Sequence, residues 1–423
     1  MPLRALLRSS PATYALPLLI GFILIPLHQD LSTWLTAHYW PSATGGASLA
    51  LRFVGPACAA VAAWEGARLA RGRSFHQAPA RSPLAIAAPA LLPVVIMGAA
   101  GMATALVATA AAADVGAGLP DFGVLAVGGV LLLANTLVGF IAGRVLHPLI
   151  AVPLVLISSY IVNDYPATFD IPWLRYLVGE GLDSCCAVDE VLDTRALVSA
   201  GVFATAVCLA AAVLIQRRGE RLALFCALAL LAGGTGLGWY SARNVGYEAV
   251  RARPSDSLIC DGSQPQICLW PELGDRADMV RSQARKTVAR LQNAGIQVPG
   301  TLTMAAKPGP MASKLGISSD TDAAHVPSGV ASGLLPTEAP ACARQGKAYP
   351  GEVAYGPVAA WLYTIAGEPS GTVAGRFGDK DTALAQAILK QPRGIQLIWY
   401  QRNMKALLSC GVEPQLALRG GTG

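Results

Sequence analysis

Apolar residues run in long, nearly uninterrupted stretches up to about residue 240, and in short periodic groups after it. A helix of about 20 apolar residues crosses the hydrocarbon core of a bilayer. Seven such stretches stand at 11–28, 47–66, 84–112, 122–143, 146–162, 196–216 and 222–240. The third is long enough to tilt. The fourth and fifth are parted by GRVLHP, whose Arg144, His147 and Pro148 are costly at the centre of a bilayer, so a tight turn is expected there. The first stretch follows Arg4 and Arg8, as a signal peptide would. No small-x-small cleavage pattern follows it, and His28, Gln29 and Asp30 come directly after, so it reads as an uncleaved span.

Beyond residue 240 the period changes. Leu273, Ala277, Val280, Ala284, Val288 and Leu291 step by three or four, which predicts an amphipathic helix. Arg276, Arg281, Arg285, Lys286 and Arg290 fill its solvated side, and Asn293-Ala294-Gly295 is its stop. IQVPGTLTMAA reads as a short strand. Residues 306–354 are rich in Gly, Pro, Ser and Ala and are expected to be loops; helices return near 355–366, 380–391 and 394–409.

The arginines orient the spans, because cytoplasmic segments carry the excess of Lys and Arg. With the N-terminus inside, the inner segments hold Arg4, Arg8, Arg68, Arg71, Arg73, Arg81, Arg144, Arg217, Arg218 and Arg221, against Arg52, Arg175 and Arg195 outside. An odd number of crossings then leaves the C-terminal region outside the cell. The expected architecture is a multi-pass α-helical plasma-membrane domain, residues 1–240, followed by a mixed α/β extracytoplasmic domain, 241–423.

Cysteine placement agrees with that side. Cys185, Cys186, Cys260, Cys268, Cys342 and Cys410 fall in predicted outer segments, where disulfides persist, while Cys58, Cys208 and Cys226 lie inside spans as small apolar fillers. Cys260 and Cys268 close a short loop and are the favoured pair, and Cys342 with Cys410 is a second candidate. Strain disfavours a bond between the neighbours Cys185 and Cys186, which are expected to find other partners or stay free.

Composition narrows the partners. Of 423 residues, 53% are apolar and only 14% charged, with a net charge of +6. The lipid bilayer is therefore the first partner. No basic run interleaved with aromatics occurs, which argues against nucleic acid. GGTGLG carries Gly234 and Gly238 at GxxxG spacing, suited to packing within one bundle or to a dimer seam; no Lys-Ser/Thr follows, so it is not a phosphate loop. Asn135 and Thr136 are the main polar pair at depth, and no charged residue sits near the middle of a span. That argues against a proton-driven carrier or ion channel. Asn135 suits an interhelical hydrogen bond.

There is no HExxH motif, no Walker motif and no GxSxG, since Ser370 in GEPSG is displaced by one position. His325 is the lone histidine after residue 240. Glu272 beside Trp270 reads as a cap next to a core aromatic. His28 and His38 with Asp30 lack a fixed geometry for a metal. No catalytic set, cofactor or metal is expected, and the chain is not expected to be an enzyme.

The stretch RFVGPACAAVAAWEGARLARGR (52–73), preceded by a span and a loop with Trp34 and Trp40, resembles actinobacterial ABC-transporter permease-type membrane proteins. The resemblance covers about residues 10–220 and implies a six-helix permease-like bundle, to which this chain adds a seventh span and the external domain. It also implies that the inner loop after the second span docks on a separate cytoplasmic ATPase subunit. Arg68, Arg71, Arg73, Phe75 and Arg81 are the expected contacts, with a short surface helix carrying Leu69 and Phe75 inward. A homodimer, or a heterodimer with a second membrane subunit, would complete the complex. The alternative is a membrane-anchored sensor or scaffold whose extracytoplasmic domain binds a ligand or partner protein.

Overall fold

A computed structural model describes residues 10–72, 81–183, 185–217 and 220–417, with the side chains of 26–33 and 167 left aside. The chain divides into two units, Met1–Arg251 and Ala252–Gly423.

Unit 1 is a helical bundle. Its helices are α1 (Ala12–Trp34), α2 (Trp40–Ser48), α3 (Leu51–Arg71), α4 (Pro83–Ala112), α5 (Phe122–Val145), α6 (Pro148–Asp164), the short α7 (Pro172–Leu177), α8 (Thr194–Gln216) and α9 (Arg221–Ala242). Among the described residues, α4, α5, α8 and α9 are long and apolar enough to cross a membrane, which indicates a membrane protein. The pair α2–α3 qualifies as one span broken by a 41° bend, while Ala12–Ile25 and α6 are shorter apolar helices. The second predicted stretch, 47–66, is thus two helices. The bend falls at Leu49-Ala50, where backbone amides bond three residues back rather than four (Leu49 N–H to Gly46 O, 3.2 Å).

Side-chain oxygens fix the starts of three helices by taking up amides that the helix leaves orphaned. Ser82 accepts from Ala85 N (3.3 Å), Asp121 from Gly123 N (2.8 Å) and Asp193 from Arg195 N (2.9 Å). Within the bundle, α3 packs on α5 and α6, α8 packs on α9 and α5, and α1 packs on α4. Close approach is possible because the contact positions are glycines. A Cβ on Gly139 or Gly143 of α5 would run into the carbonyl oxygens of Ala59 and Ala63 of α3. A two-stranded sheet, β1 (Glu190–Leu192) with β2 (Val250–Ala252), ends the unit. Tyr39 Oη donates to Glu190 O (2.6 Å) and Tyr176 Oη to Gly246 O (2.6 Å), holding the segments beside it.

Unit 2 surrounds a four-stranded sheet ordered β3 (Ile259–Asp261), β4 (Gln266–Leu269), β5 (Thr301–Thr303), β6 (Ala312–Lys314). The first pair is antiparallel, with Cys260 opposite Cys268, and the other two are parallel. The expected amphipathic helix is α10 (Arg276–Asn293), which buries Val280, Ala284, Val288 and Leu291. The expected loop region 306–354 is only partly loop. It contains β6 and the helices α11 (Val326–Ser332) and α12 (Ala341–Arg344). Small residues allow this: Gly316, Gly329 and Gly333 lie so close to neighbouring backbone or side chains that a Cβ would not fit, so the segment folds back on itself. Helices α13 (Tyr355–Ala366), α14 (Ser370–Leu389, interrupted at Gly378 with φ 75°) and α15 (Arg393–Leu407) follow. The part of α14 after the Gly378 kink is the helix expected near 380–391, and the part before it, from Ser370, is an additional helical segment.

Three disulfides are present: Cys185–Cys186, Cys260–Cys268 and Cys342–Cys410. The first corrects the expectation that neighbours would not pair. The two Cα atoms are 3.1 Å apart and both side chains are buried, Cys185 against Gly45.

Candidate functional site

Four helices of unit 1 leave a cavity of about 220 Å³ between them. Its walls are Ala59 of α3, Leu131 and Val138 of α5, Val155 and Val162 of α6, and Phe203 and Val207 of α8. This lining is what apolar spans must produce where they part. Against it stand four polar side chains, those of Asn135, Ser158, Ser159 and Asn163. Asn135 Oδ1 accepts from Ser159 Oγ (2.5 Å) and from Asn163 Nδ2 (3.2 Å), and Asn163 Nδ2 also reaches Ser159 O (2.7 Å). Asn135 Nδ2 donates to Leu131 O (2.9 Å). Ser159 and Asn163 are four apart on one helix, which stacks them on the face toward Asn135. Gly55 of α3 makes room: a Cβ there would sit 3.3 Å from Asn135 Nδ2. The cluster is neutral, so it can trade hydrogen bonds with a polar group without the cost of burying a charge.

Asn163 and Val178 also wall a second, smaller hollow lined by Ser48, Arg52, Glu180 and Asp183. Arg52, near the start of α3, gathers three carboxylates. Its Nη2 donates to Asp183 Oδ2 at 2.8 Å, its Nε lies 3.3 Å from Asp164 Oδ1, and Glu180 Oε1 is 4.0 Å from Nη2. The neutral cavity therefore abuts an acidic cluster with a single arginine in contact with all three acids. The sequence reading flagged Asn135. It places Arg52 outside without joining it to an acid, and misses Ser159 and Asn163. Their only signal was a polar pair four apart near the end of an apolar run.

Of the expected coupling residues, Arg68, Arg71 and Arg81 are described. α3 continues to Arg71, so Glu65, Arg68 and Arg71 ride on its last turns rather than on a separate surface helix. The helix runs on through Gly66, whose missing side chain lets it lie against the Phe140 carbonyl, and stops at Gly72. Arg68 Nη2 pairs with the fully buried Glu65 Oε2 (2.6 Å), while Glu65 Oε1 accepts from Ser10 Oγ (3.1 Å). Arg71 lies over the Trp64 ring at 6.0 Å. Arg81 is exposed just before α4, and Arg73 and Phe75 lie outside the described residues. Gly234 and Gly238 of α9 face α8 and α7 of the same chain, where a Cβ would meet Ala206 and Leu177, so packing inside the bundle accounts for them. His38 bonds Asp114 O through Nδ1 (2.7 Å), and no group of three or more His, Cys, Asp or Glu able to hold a metal occurs among the described residues.

In unit 2, Trp270 is buried and donates to Met304 O (3.2 Å), while Glu272 pairs with Arg253 (2.8 Å), which also covers the Trp270 ring at 4.2 Å. These residues brace the core.

The fold thus defines a helical membrane protein with a second, disulfide-bearing unit. Residues 267–410, within unit 2, match the family model described as Domain of unknown function (DUF7224). No curated protein and no solved structure matches the chain.

Proposed function

We propose that the chain is the membrane-spanning, permease-like subunit of an ABC-type export complex in the plasma membrane, energised by a separate cytoplasmic ATPase. In this reading α1, the broken pair α2–α3, α4, α5, α6, α8 and α9 are seven crossings. The N-terminus is cytoplasmic and unit 2 lies outside the cell. The observation that carries the reading is the cavity around Asn135, Ser159 and Asn163, whose described lining holds no titratable side chain. A neutral cavity offers a polar foothold for a passing molecule but no group to carry a proton, so the driving force comes from a partner. The cytoplasmic end of α3, with Arg68 and Arg71, and the following segment through Arg73, Phe75 and Arg81 form the surface that meets the ATPase. Two copies, or one copy with a second membrane subunit, complete the pathway.

The test is purification from native membranes in mild detergent. An ATPase co-purifies with the wild-type chain, and Arg71→Glu with Arg81→Glu cuts its recovery at least tenfold. Recovery of no ATPase, under conditions that hold a control transporter together, overturns the reading. In the same cells an impermeant thiol reagent labels Gly411→Cys from outside and Arg71→Cys only after permeabilisation. Labelling of both from one side removes the topology. A second reading, a membrane-anchored sensor or scaffold, is supported by a disulfide-braced unit 2 large enough for its own core.

A further inference from the structure

Unit 2 contains a cleft of about 600 Å³, well within the size range of small-molecule sites and inside the DUF7224 match. It is separate from the bundle cavity and its assignment does not rest on the export reading. Ser318, Asp320, Asp322, His325, Tyr363 and Arg376 line it, and Ile317 is the one aliphatic side chain on its described wall. Lipid and other apolar ligands therefore have nothing to bury against.

The charges are of both signs and are spread over separate elements. Arg376 is on α14. It lies over the Tyr363 ring at 5.5 Å and forms no ion pair among the described residues. Burial pushes the Tyr363 hydroxyl up, so it stays a neutral donor. Asp320 and Asp322 precede α11. Asp320 Oδ1 accepts from Ser318 Oγ (2.6 Å), and Asp322 Oδ1 accepts from His325 N (3.1 Å) and lies 2.6 Å from His325 Nδ1. The His325 side chain holds the Asp322 carboxyl below the usual carboxylate range.

Elimination on these facts leaves one ligand chemistry. A polyanion would need more cations than Arg376 and one histidine, and would be repelled by two aspartates. A sugar would want an open aromatic face, but Tyr363 is only 6% exposed and packs edge-on to Phe377. A metal lacks its ligand set among the described residues. A molecule with a carboxylate at one end and an ammonium at the other satisfies both signs at once.

We infer that this cleft binds a small zwitterion, a free amino acid or a peptide of two or three residues, with Arg376 on its carboxylate, Asp320 on its ammonium, and, for a peptide, the serine and tyrosine hydroxyls on its amide groups.

The experiment is isothermal titration of the full-length protein in detergent with glycine, alanyl-alanine, N-acetyl-alanyl-alanine, alanyl-alanine amide and inorganic phosphate. Alanyl-alanine or glycine binds saturably, the preference between them separating peptide from amino acid. Each blocked peptide binds at least tenfold more weakly. Arg376→Gln weakens the free peptide at least tenfold but leaves the amide's affinity unchanged, because the amide has no carboxylate to lose; Asp320→Asn does the same for the acetylated peptide. Both side chains are exposed, and unchanged melting of the variants shows that they fold. Blocked peptides equal to the free one, phosphate binding that depends on Arg376, or no saturable binding of either zwitterion overturns the assignment. None of these outcomes depends on an ATPase.

Discussion

At the middle of unit 1, Gly139 and Gly143 lie against the Ala59 and Ala63 carbonyls; in unit 2, Trp361 is enclosed by Trp399 at 6.2 Å and Tyr400 at 5.2 Å. The same chain uses its smallest residues to build one interior and its largest to build the other. Lipid tails are as apolar as leucine, so helices gain little by hiding apolar surface from them; backbones that touch gain dispersion contacts instead. In water the gain scales with apolar area removed, and an indole removes the most. Two of the three disulfides, Cys260–Cys268 and Cys342–Cys410, lie in unit 2, whereas the three unbonded cysteines, Cys58, Cys208 and Cys226, all lie in helices of unit 1.

The largest expected effect tests the covalent side of that contrast. Cys342–Cys410 ties residues 68 apart, and closing a loop of that length removes about 4 kcal/mol of unfolded-chain entropy. Replacing both with serine lowers the melting temperature of unit 2 by about 10 °C while leaving the bundle's transition in place. A transition unmoved in scanning calorimetry would show that the tie stabilises nothing.

Next is the close approach of α3 and α5. Gly143→Ala drives a Cβ into the Ala63 carbonyl and costs about 2–3 kcal/mol by overpacking. Gly129→Ala on the same helix meets nothing within 4 Å and serves as the control, neutral or slightly stabilising. Equal melting of the two variants in detergent would break the claim that backbone contact holds this bundle.

The smallest effect is electrostatic. The Arg195 side-chain hydrogen bond, at 2.7 Å, holds the Asp193 carboxyl below the usual carboxylate range despite its burial. The folded chain therefore takes up this proton less readily than the unfolded one. The stabilisation is complete above the unfolded value of about 3.9 and is lost as pH falls through the folded value. Asp193→Asn keeps an acceptor for the cap but flattens this acid loss. The difference is under about 1 kcal/mol, because Arg195 is half-exposed. Parallel acid-melting curves for the two proteins would remove the coupling.

Much of the architecture was legible because lipid imposes a coarse rule. A long apolar run becomes a helix, and most of the seven stretches lie within one helix each. The bend at Leu49-Ala50 was not legible, since the Gly45-Gly46 pair one turn before it sits inside an otherwise apolar run. The amphipathic α10 was readable from its period, but α11 was hidden by a glycine- and serine-rich sequence that folds only through tertiary contact. Of the bundle site, Asn135 stood out as a polar residue at depth. Ser159 and Asn163 acquire meaning only when α6 is placed beside α5. The cleft in unit 2 was invisible for the same reason: Asp320 and Arg376 are 56 positions apart, and no local pattern announces their meeting.

Glu65 gives the bundle a mechanical property. One of its oxygens grips the residue that opens α1 while the other grips Arg68, so the first helix is harnessed to the final turn of the third. Anything that tugs on that arginine from the aqueous side pulls a tether reaching back to Ser10, and a torque applied at one point on the rim is shared by two transverse rods at once.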